Sequence, residues 1–274
     1  MTPHFGIIVI GDEILSGKRA DKHLPKIIEL LAARGLSLAY AEYVGDDPER
    51  ITATLARAFA AARASGDVVF STGGIGATPD DHTRQCAARA LGVDLALHPE
   101  AKRLIEERIR DTAKEQGTVV EPDRHDNLHR LNMGVFPVGA EIIPNPYNKI
   151  PGFTCQAGQG AVHFVPGFPV MAWPMVEWVL DQRYAHLHQK SAFIEKSVIV
   201  MGSMEAALTP LMLAIEAEHA GVKVFSLPSV DHPEFGRHIE LGVKGSVEAV
   251  SLAYPALLSG LHQFNLQLGP ELVR

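Results

Sequence analysis

The stretch 5-FGIIVI-10 carries no charge and ends at Gly11. An apolar, β-branched run without alternation predicts a strand buried on both faces, which is how strands of parallel sheets read. Such a strand requires helices on both sides, and the chain supplies them in alternation. Within 22-KHLPKIIELLAARG-35, Leu24, Ile27, Ile28 and Leu31, with Leu30 beside them, are spaced for one helical face, and Gly35 suits the C-terminal end. The segment 36-LSLAYAEYVG-45 alternates like a strand. Then 49-ERITATLARAFAAARA-64 reads as a helix, with Asp47 as N-cap and Pro48 at its first position. A second buried strand, 67-DVVFST-72, precedes a glycine-rich stretch and a further helix to about Leu91. This β-α-β-α-β-α rhythm predicts a three-layer α/β/α domain with a mostly parallel sheet and right-handed crossovers. Ligands bind such sheets at the carboxyl ends of the strands. That rim carries 11-GDE-13, 45-GDD-47 and 73-GGIGATPDD-81.

Further on, 99-PEAKRLIEERIRDTAKEQG-117 reads as a charged, solvated helix. The long segment 121–153 is rich in Pro, Gly and Asn, with short strands at best, and irregular segments of that length are often functional. Residues 162-VHFVPGFP-169 read as a strand entering a tight turn, followed by a helix at 170–181 with Trp173, Val176, Val179 and Leu180 on its apolar side. The pattern changes near 183-RYAHLHQKS-191, so two domains are expected, 1–188 and 189–274. The second reads as a strand at 193–202, a helix at 203–221 capped by Ser203, strands at 222–229 and 237–245, a helix at 246–264 kinked at Pro255, and a C-terminal tail. A βαββα order predicts a small α+β domain, one sheet under two helices.

The formal net charge is -7 and no Lys/Arg cluster occurs, which argues against nucleic acid as a partner. A small phosphorylated molecule fits better, because glycine loops and helix N-termini hold anions without net positive charge. The two cysteines, Cys86 and Cys155, form neither a disulfide framework nor a zinc motif. No signal-like segment is evident and no apolar run approaches the roughly 20 residues of a membrane span. A cytoplasmic homo-oligomer without membrane contact is the expectation.

The stretch 71-STGGIGATPDDHTRQ-85 holds the densest chemistry. Gly73, Gly74 and Gly76 bring backbone N–H groups near a phosphate or carboxylate, although the spacing is neither a P-loop nor a dinucleotide fingerprint. The competing reading is a tight turn plus a capping box, with Thr78 as N-cap, Pro79 next and Asp81 returning a bond to Thr78. Capping needs one acid, and here Asp80 stands beside Asp81. Asp12 with Glu13, and Asp46 with Asp47, add acids on the same rim. Asp47 is accounted for as a helix cap and Asp46 is surplus. Acids at three points of one rim suit a divalent cation bridging to phosphate oxygens, since Mg²⁺ takes one or two carboxylates plus substrate phosphates. The turn 165-VPGFP-169 is either an anion cradle at a helix start or an ordinary Pro-Gly turn. His125 and His129 lack the Glu of a zinc-protease motif, and Ser71 has no identifiable base.

The segment 72-TGGIGATPDDHT-83 resembles the T-G-G-x-G-P-T-x-D-D-x-T segment of the molybdopterin-binding (MoaB/Mog-type) domain family. In order, 10-IGDEILSG-17, 44-VGDD-47, 139-GAEIIPNP-146, 151-PGF-153, 165-VPGFP-169 and a helix containing Met175 match as well. The branch most resembled is the N-terminal half of CinA-like competence/damage-inducible proteins, and the resemblance covers roughly residues 4 to 250. It stops before the deamidase-like domain that full CinA-like proteins carry. The resemblance implies a fold that binds molybdopterin or a nucleotide-phosphate ligand at the rim. It implies functional aspartates at Asp81 and Asp46; on the reading of the rim acids, these two together with Asp12 would hold Mg²⁺ or another divalent cation. Thr72, Gly73, Gly74, Gly76, Thr83, Pro166 and Gly167 then match the ligand-loop positions, and Asp80, the acid left over beside Asp81, is a further candidate ligand contact. The implied role is in molybdenum-cofactor biosynthesis. Alternatives are a metal-dependent pyrophosphatase on ADP-ribose- or FAD-like dinucleotides and a non-catalytic binding module. The chain departs from the family at Ala77 (usually Pro), at Asn148-Lys149 (usually Gly-Thr) and at His23 (commonly Asn).

Overall fold

In the computed structural model, β1 (Phe5–Ile10) is buried along its whole length. It runs parallel to β2 (Leu38–Val44) on one side and to β3 (Val68–Thr72) on the other. The structure describes residues 3–119, 125–188 and 193–274. The chain divides into two compact units, residues 1–188 and 189–274.

In the first unit β8 (Gly160–Val165) continues the parallel set beyond β3. Then β7 (Gly152–Ala157) and β6 (Glu141–Ile143) close the edge, each antiparallel to its neighbour. The order is β2-β1-β3-β8-β7-β6. Alternation along β1 feeds two cores. Phe5, Ile7 and Val9 pack with α2 (His23–Ala32) and α7 (Pro169–Arg183). Ile8 and Ile10 pack with α3 (Pro48–Ser65) and α4 (Thr83–Leu91). This is the expected three-layer α/β/α arrangement. Because α2 and α3 lie on opposite faces, the winding reverses between β1 and β3. A crevice therefore opens at their carboxyl ends. The short α1 (Asp12–Leu15) follows β1 directly. Between α4 and β6 lie β4 (Leu95–Leu97), α5 (Pro99–Glu115), α6 (His125–Leu131) and β5 (Val135–Pro137), with β4 and β5 paired antiparallel.

Asp47 caps α3 as expected, its carboxylate accepting from the Arg50 N–H at 2.8 Å, with Pro48 next. Two local expectations fail. Ile28 is 48% exposed, while Ile27, Leu30 and Leu31 are buried. One residue step turns the helix by about 100°, and that carries Ile28 off the stripe centred on Ile27. Helix α4 begins at Thr83 and not at Pro79, so Thr78 is not its N-cap. Residues 78–82 are spent in turns closed by Asp81 N–H to Thr78 O and His82 N–H to Asp80 O, both 3.0 Å.

The second unit is an antiparallel sheet ordered β10-β11-β9-β12, from β9 (Phe193–Met201), β10 (Lys223–His232), β11 (Gly236–Ser246) and β12 (Gln267–Val273). Helices α8 (Glu205–Glu218) and α9 (Val247–His262) share one apolar cluster with these strands. The expected tail is thus a fourth strand. It lies at the sheet edge, where Pro is tolerated, and carries a register break between Leu268 and Glu271, around Pro270. Ser203 is not the cap of α8, because Met204 occupies that position. Pro255 lies inside α9, which runs on through it.

Candidate functional site

The carboxyl ends of β1, β2, β3 and β8 surround a cleft of about 540 Å³. Of the residues expected at the site, Gly73, Gly74, Gly76, Asp46, Asp80, Asp81, Pro166 and Gly167 line it. Thr72, Thr83 and Asp12 do not.

The loop after β3 is built by glycine chemistry. Gly73 has φ +97°, and a Cβ there would lie 2.3 Å from the Ile10 carbonyl oxygen. Gly74 has φ +67°, and a Cβ there would lie 2.1 Å from the Thr83 hydroxyl. These positions exclude a side chain because backbone and Thr83 already fill the space. Thr83 is fully buried and clamps the loop. Its Oγ1 donates to Gly73 O at 3.1 Å and its N–H donates to Gly74 O at 3.0 Å. Thr83 therefore holds the ligand loop in shape and does not touch the cleft. Gly73 N–H is spent on Val165 O at 3.1 Å. The N–H groups of Gly74, Ile75, Gly76 and Ala77 make no hydrogen bond among the described residues. Consecutive unpartnered N–H groups in such a loop form a concavity for an anion.

The acids divide into two sets. Asp12 and Asp46 brace each other. Asp12 N–H donates to Asp46 Oδ2 at 2.8 Å, and Asp46 N–H donates to Asp12 Oδ1 at 3.2 Å. Partial burial raises the Asp46 carboxyl above its ordinary range. The Asp12 N–H opposes that, and the charges of Asp12, Glu13 and Asp80 add to it. Asp81 is separate. Its Oδ2 accepts from Thr78 N–H at 2.7 Å and from Thr78 Oγ1 at 2.6 Å, and it presses against Gly76. The bond expected of a capping box is present, but it closes a turn ahead of α4.

Asp12, Asp46 and Asp81 thus do not form one cluster, and no group of three or more His, Cys, Asp or Glu side chains is placed to hold a metal among the described residues. A Mg²⁺ bound partly through ligand phosphates needs only one or two protein carboxylates. Asp46 fits that requirement, being partly desolvated and crowded by like charge that a cation would relieve. The lining carries four acids, Glu13, Asp46, Asp80 and Asp81, against one basic residue, Arg19.

Reasoning from the sequence did not single out Arg19, Met133, Asn145 or Met171, which also line the cleft. Asn145 had a signal in the 139-GAEIIPNP-146 motif. The others come from loops and α7 with no local pattern. Asn148 and Lys149 part company. Asn148 lines the cleft, accepting from Asn145 Nδ2 at 2.8 Å and Ile150 N–H at 3.0 Å. Lys149 (φ 65°) turns to α5, with its Nζ 2.7 Å from Asp111, so its charge does not enter the cleft. His23 is buried and its Nε2 contacts Gly167 O at 3.0 Å, so Nε2 donates there and braces the 165–169 turn. His129 is exposed on α6, and the side chain of His125 lies outside the described residues. The Ser71 hydroxyl is buried with no hydrogen-bond partner among the described residues, so none of them stands beside it as a base.

Known proteins similar to this chain fall in one group. A CinA-like protein of Anaeromyxobacter dehalogenans (strain 2CP-C) is 33% identical over 220 residues, covering 79% of this chain and 50% of that protein. The chain spans about half the length of the CinA-like relatives it matches. A protein of Pyrobaculum calidifontis is 30% identical over 254 residues, 92% of each chain. Among solved structures, the protein CinA of Thermoplasma acidophilum, described as of unknown function, superposes with a TM-score of 0.55 at 26% identity, over 65% of this chain and 98% of that one. The model of the family described as "Probable molybdopterin binding domain" matches residues 6–186, which hold the whole cleft, and the chain belongs to that family.

Proposed function

We propose that the chain binds molybdopterin or a related nucleotide-phosphate ligand in the cleft at the strand ends, in a step of molybdenum-cofactor biosynthesis. The observation that carries this reading is the run of unpartnered N–H groups at 74–77 in the wall of a cleft otherwise lined mainly by acids. The N–H groups hold a phosphate. Asp46 would hold a divalent cation, and Asp12 fixes the Asp46 loop. Thr83 keeps the glycine loop in its binding shape. When bound, Mg²⁺ neutralises phosphate charge that the acidic lining would otherwise repel.

A second reading, hydrolysis of a dinucleotide pyrophosphate such as ADP-ribose or FAD, uses the same carboxylate, Asp46, held by Asp12 in the wall of the cleft. Calorimetric titration of molybdopterin and of ADP-ribose, with and without Mg²⁺, together with phosphate release, separates the two. Pterin binding that Asp46→Asn weakens only when Mg²⁺ is present supports the first. Mg²⁺-dependent release from ADP-ribose that Asp46→Asn abolishes supports the second. Binding without turnover leaves a carrier, and no binding of either compound rejects both readings.

A further inference from the structure

A second chamber of about 370 Å³ lies on the other side of the 77–81 turn, sharing Ala77, Thr78 and Asp81 with the cleft. Its wall contains Arg84, which is only 4% exposed. Burying a guanidinium costs several kcal/mol unless it is paired. Arg84 donates Nη1 to the Asn132 carbonyl at 2.8 Å, and no carboxylate forms an ion pair with it among the described residues. Asp81 is near enough to act on it electrostatically, but that carboxylate is bonded to Thr78. Its Nε and Nη2 have no hydrogen-bond partner among the described residues, and Arg84 is one of the residues that line the chamber.

A second observation points the same way. Helix α4 has nine residues and its N-cap, His82, makes no side-chain capping bond. In its first turn the N–H groups of Arg84 and Gln85 have no partner among the described residues, and both residues line the chamber. A helix N-terminus without a cap favours an anion, and a planar guanidinium beside it matches an oxyanion fork to fork.

We propose that this chamber is an oxyanion site, taking a phosphate group on Arg84 and the first turn of α4, separate from the ligand cleft. Because Asp81 stands in the wall common to both, an anion here competes with Asp81 for the field of Arg84. The site thereby influences the 76–81 loop from behind. It does not depend on which ligand occupies the cleft.

The test titrates inorganic phosphate into the full ¹⁵N-labelled chain, with chloride at matched ionic strength as reference. Saturating shifts at the Arg84 and Gln85 amides, absent with chloride, are expected. Arg84→Gln should weaken them about tenfold or more, the loss of charge-assisted bonds. Asp46→Asn should leave them unchanged. Should Arg84→Gln fail to fold, Arg84→Lys keeps the charge and loses the fork, and a weakening of about threefold or more is expected. Adding ADP-ribose separates a free phosphate from the far end of the cleft ligand, since shifts at 84–85 that persist mark an independent site. Shifts confined to 74–77, an equal response to chloride, unchanged binding in a folded Arg84 variant, or loss of the shifts on adding ADP-ribose would each overturn the proposal.

Discussion

Gly74 and Gly17 share nearly the same backbone angle, φ +67° and +72°, yet their surroundings differ. A Cβ at Gly17 meets nothing within 4 Å, whereas at Gly74 it would strike the hydroxyl of Thr83. Alanine at either position costs about 1–2 kcal/mol for the left-handed conformation. At Gly74 the clash also displaces a buried hydroxyl from Gly73 O, and that adds about 1–3 kcal/mol. Urea denaturation should therefore show Gly74→Ala at least about 1 kcal/mol less stable than Gly17→Ala. Equal losses would mean that Thr83 does not clamp the loop. A second residue sets a pH dependence. His163 is buried between Thr154 Oγ1 and the Tyr184 hydroxyl, each 2.8 Å away. Burial, helped by Arg183, pushes its pKa down to about 3. The unfolded imidazole titrates near 6.5, so between about 6.5 and 3 the unfolded state holds the extra proton. Stability is complete above that window and falls on acidification through it, by up to about 1.4 kcal/mol per pH unit from this group. The slope of unfolding free energy between pH 7.5 and pH 5 (chosen to straddle about 6.5) should be shallower in His163→Gln. An unchanged slope would remove His163 as the cause.

At the scale of elements, caps separate what the sequence shows from what packing decides. Asp47 and Ser246 both cap as their residue types suggest, Ser246 Oγ accepting from Ala249 N–H at 3.2 Å. Ser203 is an equally good cap by type, but α8 starts two residues later and its hydroxyl reaches only Met204 O at 3.4 Å. Asp47→Ala and Ser246→Ala should each cost about 1 kcal/mol, and Ser203→Ala close to nothing. Thermal denaturation of the three variants checks this, and a loss at Ser203 matching the others would contradict the observed helix start. The same logic governs legibility. The run 5-FGIIVI-10 announced its strand because burial on both faces leaves an unambiguous pattern. Strand β12 was hidden because 267-QLGPELV-273 contains Gly and Pro, which weaken a strand pattern and suit an edge strand with an irregular register. The glycines of the ligand loop were legible as a turn. That Thr83 fills the space behind Gly74 was not, since the contact spans nine residues of irregular chain.

For the whole molecule, every residue lining the cleft lies between Ile10 and Met171, inside the unit spanning residues 1–188. Both apolar clusters flanking the six-stranded sheet are also drawn from that unit, and the third belongs to residues 189–274. A unit with its own two-sided core has what independent folding requires. The acids of the rim were readable one by one in the sequence. Their division into a braced pair, Asp12 with Asp46, and a turn-bound Asp81 depends on how β1, β2 and the loop after β3 meet. A chain ending at residue 188 should preserve that meeting. It should unfold in one cooperative transition and bind the ligand of the cleft within about threefold of the full chain, a difference below about 1 kcal/mol. Calorimetry on both chains measures this directly. A folded 1–188 chain that binds tenfold weaker or more would show that residues 189–274 contribute to the site, and the cleft would then have to be redrawn to include them.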